Sequence, residues 1–228
     1  MSDVRWAIRK ALRDKDLYDP RRRVRIDLDE IAHPADIARR REEFRDWGSG
    51  YDDLAGLGAT FKPSTILTVG MYLGYASYCL CSGALLAGLR RVRLTAIDPE
   101  RDMGPPAYGY RTLAMAAETF RRFLPEVRMT CFQHDVARNG LPPELTAERF
   151  RLVLVDEATS EGMLAVLRAG WGVTAPGGLL VASGTVDPER QNAIADFLTW
   201  LVEEDGASFS SQFVYNDLGL ALFRRDVG

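Results

Sequence analysis

A pair of glycines between two apolar segments constrains this chain more than any other feature. The apolar run Thr65–Val69 leads directly into Gly70–Gly74, which reads Gly-Met-Tyr-Leu-Gly, and an apolar segment with helical spacing follows over about 75–89. A second apolar run at 93–97 ends at Asp98. This order predicts a strand, a glycine turn, a helix and a second strand with an acid at its tip. Glycines at such a turn let the backbone bend sharply and let a ligand approach the main chain.

The acid and the glycine spacing together indicate the kind of ligand. A carboxylate at the position of Asp98 can accept hydrogen bonds from two ribose hydroxyls, so the segment predicts a nucleoside-cofactor site. A dinucleotide turn has the pattern G-x-G-x-x-G, whereas Tyr72 stands at the middle position here and leaves little room for a pyrophosphate. The sequence contains no Gly-Lys-Ser/Thr, which excludes a P-loop.

The remainder of the chain alternates predicted strands and helices, which is typical of a parallel sheet with helices on both faces. The third, fourth and fifth strands are predicted at 127–133, 152–155 and 179–182. Two polar pairs, His134-Asp135 and Asp156-Glu157, follow the third and fourth strands directly. Pro176-Gly177-Gly178 predicts a sharp turn into the fifth strand.

The last part of the chain predicts a helix and a hairpin. Asp187 suits a helix cap and Pro188 the first helical position, while Gly206 suits the helix end. Two apolar runs at 209–215 and 218–224 then predict an antiparallel hairpin. The predicted fold class is therefore α/β, with a seven-stranded, mostly parallel sheet that closes with a C-terminal antiparallel hairpin.

The turn Gly70-x-Tyr72-x-Gly74 resembles the first motif of the class I S-adenosylmethionine (SAM) methyltransferases. It is closest to the small-molecule, O-methyltransferase-like subgroup with a pattern like E-I-G-x-Y-x-G, although Thr68 stands in place of the acid. The seven strands and the Pro-Gly-Gly before strand five extend the resemblance over about residues 60–225. The resemblance implies a Rossmann-like fold, SAM as cofactor and S-adenosylhomocysteine (SAH) as product. It also implies a small-molecule acceptor, and the setting we expect is bacterial secondary metabolism.

The resemblance also implies which residues contact the cofactor. In open α/β sheets ligands bind beyond the carboxyl ends of the strands. The glycine turn would surround the methionine part of SAM, Asp98 would bind the ribose hydroxyls, and Asp135 corresponds to the acid that contacts the adenine amino group. The alternatives are an ordinary strand–helix turn for the glycines and a helix cap for Asp135. The predicted cofactor-binding residues are Gly70, Tyr72, Gly74, Asp98, Pro99 and Asp135.

Methyl transfer from SAM requires mainly that donor and acceptor be aligned. A base also helps an oxygen acceptor, and the candidates on the same rim are His134, Asp156 and Glu157. The alternative for His134 is a structural hydrogen bond at a strand end.

A catalytic metal is not expected. Catechol-type O-methyltransferases hold Mg²⁺ with an acid after strand four and an Asp-Asp or Asp-Asn pair after strand five. Asp156 matches the first ligand, but Ser183-Gly184 supplies no carboxylate at the second position. Asp187 is better explained as the helix cap, so we predict no metal ligands.

Composition narrows the partners. The net charge of −3 argues against a general nucleic-acid binder, and no apolar run reaches a membrane-spanning length. Basic residues interrupt the first predicted helix and argue against a signal peptide: Arg5, Arg9, Lys10 and Arg13. Cys79 and Cys81 suit small buried side chains in a reducing cytoplasm, where we place the protein.

The first 60 residues differ from the rest. They predict amphipathic helices at about 3–13 and 35–47, joined by an Arg-rich link, and form a helical cap or dimerisation segment. Residues 61–228 form the SAM-binding domain, and a homodimer is expected. Two alternatives to methyl transfer follow from Thr68 and the missing metal pair. They are a non-methylating enzyme of this fold, such as a cyclase or isomerase, and a non-catalytic partner subunit.

Overall fold

The structure is a computed structural model that describes residues 48–71, 74–99, 112–156, 162–206, 208–215 and 218–227. Helices and strands alternate along most of this length. The helices are α1 Gly48–Phe61, α2 Tyr75–Leu86, α3 Thr112–Phe123, α4 Val136–Asn139, α5 Met163–Gly172 and α6 Pro188–Trp200, and the strands are β1 Thr65–Val69, β2 Val92–Asp98, β3 Val127–Gln133, β4 Phe150–Val155, β5 Thr174–Ser183, β6 Phe209–Val214 and β7 Leu220–Arg225. A short 3-10 turn spans Pro143–Leu145, and a π-helical turn, Leu201–Asp205, extends α6.

The strands form one seven-stranded sheet in the order β3-β2-β1-β4-β5-β7-β6. Strands β1 to β5 are parallel, and β7 is antiparallel to both β5 and β6. The predicted fold class, mostly parallel with a C-terminal antiparallel hairpin, is confirmed. Val69, the last residue of β1, is level with Ile97 of β2 and Val155 of β4, so the residues after these strands share one edge.

Alternating side chains of the central strands supply a core on each face of the sheet. Ile66 packs with α1, α2 and α3, whereas Leu67 and Val69 pack with α5 and α6. Period-two alternation with both sets apolar is what a parallel sheet covered on both faces requires. The sheet is therefore buried on both sides, and its carboxyl edge is where polar groups gather.

Helix α1 belongs to this core through a close approach to α2. A Cβ atom at Gly58 would lie 2.0 Å from the Leu80 carbonyl oxygen, and one at Gly83 would lie 1.9 Å from that of Ala55. Only glycine permits this approach at both positions. The helices predicted at 3–13 and 35–47 lie outside the described residues.

The sharp turn predicted at Pro176-Gly177-Gly178 lies inside β5 rather than before it. Gly177 has a φ of 68°, and the pairing of β5 with β4 shifts register between Phe150 and Leu152. An irregularity of this kind lets a proline sit inside a strand without removing a ladder hydrogen bond. Strand five therefore begins at Thr174 rather than at 179.

The predicted ends of α6 are confirmed. The Asp187 carboxylate accepts a hydrogen bond of 2.9 Å from the Glu189 N–H, and Pro188 occupies the first turn. Gly206 ends the helical segment in the left-handed conformation, with a φ of 62°. Among the described helices, none has the length and apolar character needed to cross a membrane.

Candidate functional site

The glycine turn after β1 adopts the sharp bend that the sequence predicts. Gly70 has a φ of 83° and Gly74 a φ of 77°, in the left-handed region that favours glycine. The Gly70 N–H donates to the Ile97 carbonyl oxygen at 2.9 Å, and the Gly74 N–H donates to that of Met71 at 2.7 Å. These bonds fix the turn against β2 and at the start of α2. Tyr72 lies outside the described residues.

Gly74 is also required by packing. A Cβ atom there would lie 2.5 Å from Met71 Cε, 3.3 Å from Ala116 Cβ and 3.3 Å from Phe120 Cε2. These atoms belong to the protein core rather than to an open cavity. The glycine therefore brings the turn close to α3, which holds the loop in place.

The end of β2 lies directly beside this turn. Asp98 is the last residue of β2, is 8% exposed, and its carbonyl oxygen accepts a hydrogen bond of 3.1 Å from the His134 N–H. Pro99 follows it and is half-buried. Because Gly70 bonds to Ile97, the turn and the Asp98 carboxylate lie at neighbouring positions on the carboxyl edge. A carboxylate beside a glycine turn is the arrangement from which the sequence predicts a nucleoside cofactor, and the contacts of these residues with the ribose stay a prediction.

Asp135 acts as a helix cap. Its Oδ1 accepts a hydrogen bond of 3.2 Å from the Arg138 N–H at the start of α4, and its Oδ2 lies 3.6 Å from Arg138 Nε. This is the alternative role that the sequence allowed. The predicted contact of Asp135 with adenine stays a prediction.

The Thr68 side chain forms a hydrogen bond inside the protein rather than at the carboxyl edge of the sheet. Its hydroxyl and that of Ser77 on α2 are 2.8 Å apart, and both residues are buried. Thr68 thus links β1 to α2 by a hydrogen bond. Thr68 stands where the motif that this turn resembles carries an acid, and its side chain has a structural role here.

Asp156 lies on the other side of the glycine turn. Its N–H donates to the Val69 carbonyl oxygen at 2.8 Å, which places it beside β1. The hydroxyl of Ser183, a buried residue at the end of β5, donates to Asp156 Oδ1. The ends of β4 and β5 are joined through these two side chains. Glu157 lies outside the described residues.

The two candidate bases that the structure describes, His134 and Asp156, lie far apart. His134 follows β3, and three strand spacings of about 4.8 Å put it about 14 Å along the sheet edge from Asp156. His134 Nε2 lies 3.0 Å from the Gly140 carbonyl oxygen. Because a carbonyl oxygen can only accept, the ring nitrogen is the donor of this hydrogen bond. His134 thus lies at the Asp98 end of the edge and Asp156 at the Ser183 end.

Arg190, on the first turn of α6, is a residue that the sequence reasoning missed. Its Nη1 donates to the Ser183 carbonyl oxygen at 3.0 Å, so a cation lies at the end of β5. Within the described ranges, no three His, Cys, Asp or Glu residues are grouped as metal ligands. Asp187, the alternative ligand, is bound to the helix N-terminus.

Comparisons with known proteins define the fold. No protein-family model matches the sequence, and no curated protein matches it. Solved structures do match. The O-methyltransferase TomG of Streptomyces achromogenes, involved in tomaymycin synthesis and solved with SAM, aligns with a TM-score of 0.55 at 17% identity over 99% of this chain and 91% of its own. An O-methyltransferase of Bacillus cereus solved with SAH aligns with a TM-score of 0.54 at 12% identity over 99% and 92%.

A methyltransferase of Podospora anserina, also solved with SAH, aligns with a TM-score of 0.54 at 16% identity and covers 78% of each chain. At these identities the likeness establishes the fold. The chain has the Rossmann-like fold of class I methyltransferases, as the sequence predicted.

Proposed function

We propose that this chain is a SAM-dependent methyltransferase that acts on a small molecule, without a metal ion, in bacterial secondary metabolism. The observation that carries the proposal is the glycine turn Gly70–Gly74 fixed beside the Asp98 carboxylate, at the carboxyl edge of this fold. Neighbouring structures of the same fold were solved with SAM or SAH, which supports the choice of cofactor.

In this proposal the cofactor lies along the edge from β2 to β1. Asp98 binds the ribose hydroxyls, and the Gly70–Gly74 turn lies against the methionine part. Pro99 and Asp135 flank the adenosine, while Tyr72 forms part of the wall. Bound SAM supplies an activated methyl group, and the protein's task is to align the acceptor with it.

Asp156 is the base that we favour for an oxygen acceptor. Asp156 lies beside β1 through its bond to Val69, whereas His134 follows β3, which is three strands from β4. The Ser183 hydroxyl donates to Asp156 Oδ1 and so holds the carboxylate at the end of β4, the position that we propose for the base. Glu157, the next residue, belongs to the same candidate set.

Metal independence is supported by how the two possible ligands are used. The Ser183 hydroxyl donates to Asp156, and the Asp187 carboxylate accepts from the α6 backbone. A Mg²⁺ ion prefers several oxygen ligands, and neither residue completes such a set with Asp156.

One rival function has an observation in its favour. Thr68 replaces the motif acid and is bound to Ser77, so an enzyme of this fold that does not transfer methyl groups, or a non-catalytic subunit, is the second candidate. The two are separated by incubating the protein with SAM and a panel of phenols, carboxylic acids and amines, and measuring SAH by mass spectrometry. SAH formation that is lost in Asp98→Ala supports methyl transfer. Tight SAM binding without SAH from any acceptor supports the rival. The cytoplasmic location and the homodimer stay predictions.

A further inference from the structure

Arg190 is held against the end of β5 in a defined position. Its Nη1 donates to the Ser183 carbonyl oxygen at 3.0 Å. A Cβ atom at Gly184 would lie 2.1 Å from that Nη1 and 2.9 Å from Cζ, so the guanidinium lies directly on the Gly184 backbone. Gly184 has a φ of 71°. The absence of a side chain at this position is therefore what makes room for the cation.

Within the described part of the chain, most of the hydrogen-bonding capacity of Arg190 is unused. A guanidinium carries five N–H donors in a planar fork and stays charged at all ordinary pH values. Of these, one is used by Ser183, and Arg190 forms no ion pair with any carboxylate of the described residues. The side chain is half-buried. A partly buried cation without a counter-ion favours an anionic ligand.

The position of Arg190 along the edge indicates whether it contacts the cofactor or the methyl acceptor. Asp98 and the glycine turn lie at β2 and β1, Asp156 at β4, and Ser183 with Arg190 at β5. In the proposed function the cofactor occupies the β2 and β1 positions. The acceptor then lies toward β4 and β5, where Asp156 is joined to Ser183.

We propose that Arg190 binds a carboxylate group of the methyl acceptor, which makes the acceptors of this enzyme small organic acids. The inference rests on the proposed function, because the cofactor positions define the acceptor side. The planar fork pairs with the two oxygens of a carboxylate, a geometry that lysine does not reproduce. Arg190 is a binding residue for the substrate anion, while Asp156 faces the group that receives the methyl.

The test compares acids with their neutral counterparts. Wild-type protein loaded with SAH is titrated by calorimetry with hydroxybenzoates, hydroxycinnamates and amino acids, each paired with its methyl ester. We expect at least one acid to bind more tightly than its ester, and Arg190→Gln to weaken that acid by about 10- to 100-fold while leaving the ester unchanged. Arg190→Lys should recover only part of the affinity.

Two controls separate this role from a structural one. Arg90→Gln removes the same charge from an exposed residue before β2, at the opposite edge of the sheet, and should leave acid binding unchanged. Gly184→Ala keeps the charge but displaces the guanidinium, and should weaken acid binding as Arg190→Gln does. The SAM affinity and the melting temperature of the Arg190 variants should stay close to wild type.

Three results would overturn the inference while SAM still binds. They are the lack of any acid preferred over its ester, equal loss in the Arg90 and Arg190 variants, and equal loss for acid and ester in Arg190→Gln. Failure of the wild-type protein to bind SAM or SAH would instead refute the proposed function, and this inference with it.

Discussion

Replacing Gly74 with alanine tests the structure of the cofactor turn most sharply. Gly74 has a φ of 77° and a ψ of 15°, and an L residue in this left-handed conformation costs about 1–2 kcal/mol. The new Cβ atom would also lie 2.5 Å from Met71 Cε, with Ala116 and Phe120 closing the other side. Forcing a methyl group into a packed core costs about 1–3 kcal/mol, and the flexible Met71 side chain keeps the cost near the lower end. We expect Gly74→Ala to lower the free energy of unfolding by about 2–4 kcal/mol.

Gly206 provides a matched control for the cost of placing an L residue in the left-handed backbone conformation. Its φ of 62° and ψ of 8° are close to those of Gly74, but a Cβ atom there meets nothing within 4 Å. Gly206→Ala should therefore cost only about 1–2 kcal/mol. Urea denaturation followed by circular dichroism measures both variants. Calorimetry should show weaker SAM binding for Gly74→Ala alone. Equal destabilisation of the two variants would show that Gly74 is not packed against Met71 and α3 as described.

Two further predictions concern the cysteines and the metal. Burial raises the pKa of the Cys79 thiol to about 12 and also raises the pKa of the Cys81 thiol. A raised pKa means that the folded state favours the protonated thiols. The contribution of the two thiols to the free energy of unfolding is therefore complete below the unfolded-state pKa of about 8.5, and it falls as the pH rises toward 12. At pH 8 a thiol reagent should modify the exposed Cys131 first, the half-buried Cys79 more slowly and the buried Cys81 only after unfolding; rapid reaction of Cys81 in the folded protein would contradict the packing of α2. Methyl transfer should survive EDTA, because Ser183 and Asp187 are bound within the protein, and full loss with recovery by Mg²⁺ would reveal a missed ligand.

The order of strands and helices was predictable because it depends on local patterns. The run 65–69 has the bounds of β1, and the Asp-Pro and glycine signals mark the ends of α6. The start of β5 was not predictable. A glycine with positive φ serves a turn and a strand irregularity equally well, and only the pairing with β4 shows which one Gly177 forms.

For the site, the sequence predicted which residues follow the strands at the carboxyl edge, but it did not predict their side-chain contacts. Carboxyl ends of parallel strands share an edge, so the sequence alone placed Gly70 beside Asp98. The contacts among side chains depend on distances across the sheet. The bonds that join Thr68 to Ser77, and Ser183 to Asp156 and Arg190, bridge separate elements and have no local signal except Gly184 beneath the guanidinium.

The central claim is that SAM binds at the turn beside Asp98, and calorimetric titration with SAM tests it directly. Wild-type protein should bind SAM at a single site, and Asp98→Ala should bind about 1.5–3 kcal/mol more weakly, the range for losing hydrogen bonds to a charged group. Glu126→Ala removes a carboxylate from an exposed residue before β3, at the amino end of the sheet, and serves as the control. Its SAM affinity should equal that of wild type. An unchanged affinity in Asp98→Ala, or no binding by wild type, would contradict the account.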